Sequence, residues 1–82
     1  ENIFSVQIGA FRDKDRAERL RLEYERQFGF AKVVVRNGNP PVWRVLVGRE
    51  SSTEAANKLL GQILEKMQTA FVVRLDDPAP VQ

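Results

Sequence analysis

Apolar and polar residues alternate at the start of the chain, as in a β-strand with one buried face. Phe4, Val6 and Ile8 share one side of this segment, and Ser5 and Gln7 share the other. A stripe of apolar residues at helical spacing follows, and then a short run of β-branched residues. The first half of the chain therefore predicts a strand, a helix and a second strand.

The second half repeats this pattern at a constant offset of 39 residues. The segment from Phe4 to Gly9 corresponds to the segment from Trp43 to Gly48, and the helical stripes correspond position by position. The stripe pairs are Ala17 with Ala56, Leu20 with Leu59, Tyr24 with Ile63, and Phe28 with Met67. Two such β-α-β units in one short chain predict an α+β domain of βαββαβ order, as in ferredoxin-like and RNP-like folds.

Capping and turn residues predict where the elements begin and end. Asp13 and Gly29 suit the two ends of the first helix, and Ser51 with Glu54 fits a capping box for the second. The Asn-Gly-Asn-Pro-Pro segment predicts a hairpin turn, and a glycine is expected to end each central strand. The predicted strands are 2–9, 31–37, 42–47 and 70–75, the predicted helices are 13–28 and 52–67, and the second helix is expected to bury Ala56, Leu59, Leu60, Ile63, Leu64 and Met67.

A right-handed crossover in each β-α-β unit places the first and third strands at the centre of the sheet. The expected result is a four-stranded antiparallel sheet of order 4-1-3-2, with both helices on the face that bears Phe4. Trp43 falls on the same face and is expected to be buried. The opposite face has no predicted cover. Its residues are expected to be Ser5, Gln7, Arg44 and Leu46 at the centre, and Lys32, Val34 and Arg36 on the second strand.

The facing of the fourth strand is open to two interpretations. Simple alternation buries Phe71, Val73 and Leu75, whereas the 39-residue repeat buries Val72 and exposes Phe71 and Val73. We favour the repeat, because its offset holds in all the other elements. Arg74 then lies near the end of the strand, where the facing is loosely set.

Size and composition limit the classes of function. The chain has 82 residues, which suits one domain, expected at 1–76 with a flexible tail at 77–82. It has no cysteine and no histidine, which excludes disulfides, thiol nucleophiles, histidine bases and the usual zinc sites, and we expect no metal or cofactor. The net charge of +2 is spread among mixed charges, and no apolar run is long enough to span a membrane. The sequence starts beside a strand, so we interpret it as a module of a longer protein.

Gln7 and Arg44 are the central polar residues of the uncovered face. A glutamine offers one acceptor and two donors, and an arginine offers five donors in a planar fork. Beside the apolar Leu46 and Val73, they suit a ligand that is rich in hydroxyl and amide groups and has little charge. The alternative is that this face is the solvated side of an antiparallel sheet and binds nothing.

Segments of this pattern resemble the SPOR domain, the sporulation-related repeat of bacterial division proteins. The resemblance covers nearly the whole chain, and its most specific part is the combination of Val-Gln-x-Gly-x-Phe with Arg-Val-x-Val-Gly. The matching segments are Val6 to Phe11, Ala17 to Leu20, Trp43 to Gly48 and Phe71 to Leu75. The family binds septal peptidoglycan and prefers glycan strands stripped of their stem peptides, so the resemblance implies the same ligand class here.

The resemblance also implies which residues contact the glycan. The ligand-facing glutamine and arginine of the family fall on Gln7 and Arg44, and the apolar residue of its last strand falls on Val73. Val42 stands where an aromatic residue is often found, and Ala10 stands where a serine is common, so one stacking and one hydroxyl contact are missing. The implied glycan-binding residues are Ser5, Gln7, Ala10, Val42, Arg44, Leu46 and Val73, with Val34, Arg36, Phe71 and Arg74 at the periphery.

The resemblance further implies a cellular context. The chain is similar to the C-terminal domain of rare-lipoprotein-A-like lytic transglycosylases, whose catalytic residues lie in another domain. This implies a periplasmic protein enriched at the division septum, with a parent that is an outer-membrane lipoprotein. The domain itself is expected to be a monomer that is not an enzyme, binds no nucleic acid and does not insert into a membrane.

Three other functions fit parts of the pattern. An RNA-recognition module has the same topology, but it stacks bases on central-strand aromatic residues that the uncovered face lacks here. The segment 6–12 is similar to the phosphate loop of acylphosphatases, but the second strand lacks the asparagine that those enzymes need. An apolar patch of Val34, Leu46 and Val73 for another protein chain stays open as a secondary role.

Overall fold

The computed structural model describes residues 2–75, so the tail predicted at 77–82 lies outside the described residues. The elements, in chain order, are β1 Phe4–Phe11, α1 Lys14–Phe28, β2 Ala31–Arg36, β3 Val42–Glu50, α2 Thr53–Leu64 and β4 Phe71–Arg74. The strands form one antiparallel sheet of order β2-β3-β1-β4. The predicted α+β fold, element order and strand order are confirmed. The β2–β3 hairpin contains a cis peptide bond between Asn39 and Pro40.

The main hydrophobic core lies between the two helices and one face of the sheet. Each helix contributes one small and one large buried residue, which are Ala17 and Tyr24 from α1 and Ala56 and Ile63 from α2. Trp43 is partly buried against this core, so its predicted facing is confirmed. The sheet contributes the buried residues Phe4, Val6, Ile8, Ala31, Val45, Val47 and Val72.

Helix α1 has the ends that its sequence predicts. The Asp13 carboxylate accepts a hydrogen bond from the Asp15 N–H at 2.9 Å, which caps the first turn. Gly29 ends the helix with φ of 91°, and its N–H donates to the Glu25 carbonyl at 2.8 Å. On the solvent side, the Arg21 guanidinium forms ion pairs with Glu18 and Glu25 at 3.1 and 3.3 Å.

Helix α2 differs from its prediction at both ends. The cap is Ser52, whose hydroxyl accepts from the Ala55 N–H at 3.1 Å, so the capping box predicted at Ser51 is wrong by one residue. The helix ends at Leu64, which is 41% exposed rather than buried. The N–H groups of Lys66 and Met67 both donate to the Ile63 carbonyl, so the chain closes a tight turn there instead of continuing the helix.

Strands β1 and β3 both run past the glycines that were expected to end them. Between Phe4 and Val6 the partner strand β3 has one extra residue, and between Gln7 and Gly9 strand β1 has one. Gly48 lies in the first irregularity with φ of 83°, a conformation that glycine adopts without strain. A bulge bends a strand and leaves it paired, which is why the glycine signal was wrongly read as a strand end.

Candidate functional site

The register of the sheet places the predicted site residues on its helix-free face. Residues paired across an antiparallel ladder point to the same side, and one row crosses all four strands. In this row Gln7 pairs with Leu46 and Phe71, and Leu46 pairs with Lys32. The other rows join Ser5 with Val73, Ala10 with Arg44 and Val34, and Val42 with Arg36. We call this set the sheet platform; its residues are Ser5, Gln7, Ala10, Lys32, Val34, Arg36, Val42, Arg44, Leu46, Phe71 and Val73.

Burial on the sheet platform differs from the expectation of an uncovered face. Ser5, Leu46 and Val73 are 0% exposed and Gln7 is 6% exposed, so the prediction that these four residues are open to solvent is wrong. Alternation shows which way a side chain points, but it does not show how far its neighbours extend over it. Val72 is buried in the core and Phe71 is 38% exposed, as the repeat predicts for these two positions. The accessible part of the sheet platform therefore lies around these buried residues.

Ser5 has a hydrogen-bonding role inside the sheet. Its hydroxyl donates to the Val47 carbonyl at 2.9 Å, across the point where the β1–β3 register shifts. The bond is buried, and the donor is committed to the backbone. Ser5 therefore stabilises the sheet beneath the site.

Gln7 is also buried, but its side-chain oxygen differs from the Ser5 hydroxyl in its hydrogen bonding. Its side chain is 6% exposed, and its Oε1 atom is buried without a hydrogen-bond partner among residues 2–75. A buried amide oxygen without a partner costs about 1–3 kcal/mol, and natural proteins retain few of them. A donor from a ligand, either a hydroxyl or an amide N–H, would satisfy this acceptor.

Arg44 and Ala10 form the accessible neighbourhood of Gln7 on the central strands. Arg44 is partly exposed on β3 and pairs with Ala10, which is exposed on β1. Val34 lies on the other side of Arg44 and is also partly exposed. A guanidinium beside small and apolar side chains can donate several hydrogen bonds to a ligand that lies flat on the strands.

The aromatic residues are distributed differently from the family expectation. Trp43 faces the helices, and the Lys14 ammonium lies 5.3 Å from its ring centroid, so it offers no stacking surface on the sheet platform. Phe71 is the accessible aromatic residue there, in the same row as Gln7. The sequence placed Phe71 only at the periphery, and its pairing with Gln7 follows from the register of β4.

Two charged residues near this face also need reassignment. Arg74 pairs with Phe4, which points toward the helices, and its Nη2 donates to the Asn2 side chain at 2.7 Å. The structure therefore separates Arg74 from the other predicted peripheral residues. Lys32, which was not among the predicted contacts, is exposed on the sheet platform beside Leu46. Lys32 is two residues from Val34 and four residues from Arg36 on the same strand, and this spacing predicts that all three share one face.

A shallow pocket of about 340 Å³ lies on the helix side of the sheet, away from the sheet platform. Its lining residues are Phe11, Arg16, Arg19, Leu20 and Glu23. The Arg16 guanidinium stacks over the Phe11 ring at 5.6 Å. Within residues 2–75, no three acidic, histidine or cysteine side chains are grouped as a metal site. No helix in this part of the chain has both the length and the apolar character that crossing a membrane requires.

An antiparallel sheet with helices on one face and a mixed polar and apolar surface on the other is typical of small domains that bind a ligand on the open face of the sheet. The model of one family, the SPOR domain, matches residues 1–74. The chain therefore belongs to the SPOR domain family, whose members are non-catalytic domains that bind peptidoglycan and occur in periplasmic and septal proteins. Comparison with curated proteins and with solved structures gave no significant match.

Proposed function

We propose that this domain binds denuded glycan strands of peptidoglycan, those without stem peptides, on its sheet platform. The observation that carries the proposal is the buried Gln7 Oε1 atom, which has no partner among the described residues. A glycan strand supplies hydroxyl and N-acetyl N–H donors in abundance. Family membership supports the ligand class, since SPOR domains bind peptidoglycan.

The residues divide into contacts and supports. Gln7 accepts a hydrogen bond from the glycan, and Arg44 donates to sugar or acetyl oxygens. Phe71 offers an apolar ring for a sugar face. Ala10 and Val42 leave room for the strand to approach, since neither has a long side chain. Ser5, Leu46 and Val73 are the buried members of the sheet platform and support the accessible residues around them.

The preference for denuded strands would come from exclusion. A ligand that lies flat across two strands must approach the backbone closely, and a stem peptide on a muramic acid would hold it away. A polar, shallow site of this kind gives modest affinity, on the order of micromolar, because little apolar area is buried. Selectivity therefore depends on shape more than on total binding energy.

A pulldown with purified peptidoglycan sacculi tests the proposal. Sacculi treated with an amidase, which removes stem peptides, should retain more protein than untreated sacculi. We expect Gln7→Ala to weaken binding about two- to tenfold and Arg44→Ala about tenfold or more. Gln62→Ala and Arg26→Ala, which alter exposed helix residues, are the matched controls and should bind like the wild type. Equal retention on both preparations would rule out the preference for denuded glycan.

We further propose that the parent protein is a periplasmic division protein whose catalysis, if it is a lytic transglycosylase, lies in another domain. The outer-membrane lipid anchor and the monomeric state belong to the same proposal. A fluorescent fusion of this domain, exported to the periplasm, should concentrate at the division septum and disperse in cells that lack amidases. The isolated domain should sediment as a monomer and release no soluble sugars from sacculi.

A further inference from the structure

The members of the sheet platform on β1 and β4 carry no charged side chain. They are Ser5, Gln7, Ala10, Phe71 and Val73. Arg74, the arginine of β4, pairs with Phe4 and so belongs to the helix side. The platform residues beneath a ligand that lies over β1 and β4 are therefore neutral.

Phe71 and Gln7 are directly opposite each other in the β1–β4 ladder. The Cβ atoms of residues paired in this way lie about 4.5–5.5 Å apart. Leu46 is opposite Gln7 on the other side, so the position of Gln7 lies between an aromatic and an aliphatic residue in one row. The Gln7 Oε1 atom is thus a buried acceptor with apolar neighbours along its row and no hydrogen-bond partner among residues 2–75.

Phe71 differs in its surroundings from the other exposed large apolar residues of the described chain. Leu22 and Leu64 lie on the helices, and Val35 is opposite Trp43 on the helix side of the sheet. Single exposed apolar residues are common in proteins and need no function. An exposed ring directly opposite an unsatisfied acceptor is a more specific arrangement, because one ligand can contact both.

The Gln7 oxygen distinguishes between the groups that could donate to it. A hydroxyl donates a hydrogen bond, but its own oxygen then needs donors in turn. An ammonium donates as well, but it brings a charge that is costly to place among apolar and neutral groups. A secondary acetamide donates through its N–H and carries a methyl group that can contact the Phe71 ring. Because a secondary amide is trans, its carbonyl points away from the N–H and can stay in solvent.

We propose that Gln7 and Phe71 form a subsite for one N-acetylated amino sugar. The acetamide N–H donates to Gln7 Oε1, and the acetamide methyl and the adjoining sugar face lie on the Phe71 ring. This inference rests on the proposed function and names the chemical group that the site recognises. Both sugars of a glycan strand carry this group, and neither lactyl groups nor stem peptides take part. The ligand class therefore extends to chitin oligosaccharides, which are chains of N-acetylglucosamine.

A role in strand pairing is the other explanation for Phe71. Aromatic residues favour strands and stabilise them through cross-strand pairs with aromatic or β-branched partners. The partner of Phe71 is Gln7, and β4 is an edge strand with no described strand on its other side. Strand pairing therefore explains the ring, but it leaves the buried Gln7 oxygen without a donor.

An NMR titration with three hexasaccharides tests the subsite. The ligands are chitohexaose, its fully deacetylated form and cellohexaose, which share one backbone and differ at the substituent that the subsite would recognise. We expect chitohexaose to bind about two- to tenfold more tightly than either of the others, which is the range that one hydrogen bond supplies. The resonances of the Gln7 side-chain amide and the Phe71 ring should shift on binding.

Two sets of variants separate the acceptor from the ring. Gln7→Leu keeps the size of the side chain and removes the acceptor, so it should bind the three hexasaccharides with nearly equal affinity. Phe71→Ala should bind chitohexaose about two- to tenfold more weakly, and Phe71→Tyr, which keeps the ring, should bind like the wild type. The control is Leu22→Ala, which removes an exposed apolar side chain from α1 and should change no affinity. Circular dichroism verifies that each variant is folded.

The outcomes distinguish this inference from the proposed function. Equal wild-type affinity for the three hexasaccharides would overturn the acetamide subsite and leave glycan binding intact. So would a protein that binds amidase-treated sacculi and no chitohexaose. Unchanged binding of chitohexaose by Phe71→Ala would also overturn the subsite as proposed. Binding to neither chitohexaose nor amidase-treated sacculi would overturn both proposals.

Discussion

Ser5 and Gln7 lie two residues apart on one face of β1, yet the polar atoms of their side chains differ in hydrogen bonding. The Ser5 hydroxyl is committed to the Val47 carbonyl, whereas the Gln7 amide oxygen has no partner among residues 2–75. Both are buried, so exposure does not distinguish them. Hydrogen-bond satisfaction does, and it supports a structural role for Ser5 and the proposed binding role for Gln7.

Ser5→Ala should destabilise the domain by about 1–2 kcal/mol. The change removes a buried hydrogen bond and leaves the Val47 carbonyl without this donor. Urea unfolding followed by circular dichroism measures the effect. Ser51→Ala is the control, since this serine is exposed and should change stability by no more than about 0.5 kcal/mol. A Ser5→Ala protein as stable as the wild type would remove the structural role of this bond.

Gly48→Ala and Gly29→Ala together separate packing from backbone strain. Both glycines have positive φ, 83° and 91°, so both alanine variants carry backbone strain of about 1 kcal/mol. A Cβ on Gly48 would also collide with the Leu59 Cδ2 atom, whereas a Cβ on Gly29 would meet no atom within 4 Å. We therefore expect Gly48→Ala to be more destabilising by about 1–3 kcal/mol in urea unfolding. Equal losses would mean that Leu59 moves aside freely.

At the scale of elements, periodicity predicted the topology and missed local geometry. The 39-residue repeat predicted two β-α-β units and the burial of Val72, and the right-handed crossover of each unit predicted the strand order; all three are confirmed. The bulges beside Gly9 and Gly48 were missed, since a glycine signals a bulge and a strand end equally well. The cap of α2 was missed by one residue, because Ser51 and Ser52 are both good caps.

The two serines before α2 allow a direct test of this cap. Ser52→Ala should destabilise the domain by about 1 kcal/mol, because the Ala55 N–H loses its side-chain acceptor. Ser51→Ala should have almost no effect, and both are measured by thermal unfolding. If Ser51→Ala were the more destabilising of the two, Ser51 would be the cap, as the capping box predicted from the sequence requires.

At the scale of the whole molecule, the two faces of the sheet have different electrostatic characters. The helix side carries basic and acidic residues, and some of them form ion pairs with each other, as Arg21 does with Glu18 and Glu25. Among residues 2–75, the charged members of the sheet platform are Lys32, Arg36 and Arg44, a grouping that the net charge of +2 does not reveal. Sequence reasoning placed the site residues on one face, because facing follows from alternation. It failed on exposure, because Leu46 and Val73 are buried by their three-dimensional surroundings.

The core is coupled to pH through Tyr24, the only tyrosine in the chain. Its ring stacks on Phe28 with centroids 5.8 Å apart, and the side chain is buried in the core between α1 and the sheet. Burial raises the pKa of Tyr24 above 10.0, and the nearby Glu23 carboxylate raises it further. Both effects disfavour tyrosinate in the folded protein.

This raised pKa predicts a loss of stability at high pH. Below pH 10, Tyr24 is neutral in the folded and unfolded chains, so its contribution is fully present. As pH rises through 10, the unfolded chain ionises first, and the free energy of unfolding falls until the pH exceeds the folded pKa. Urea midpoints across this range should decline less steeply in Tyr24→Phe, which keeps the ring and has no titrating hydroxyl. Ultraviolet titration of the single tyrosine in the folded protein gives the pKa directly, and a value at or below 10 would contradict the prediction.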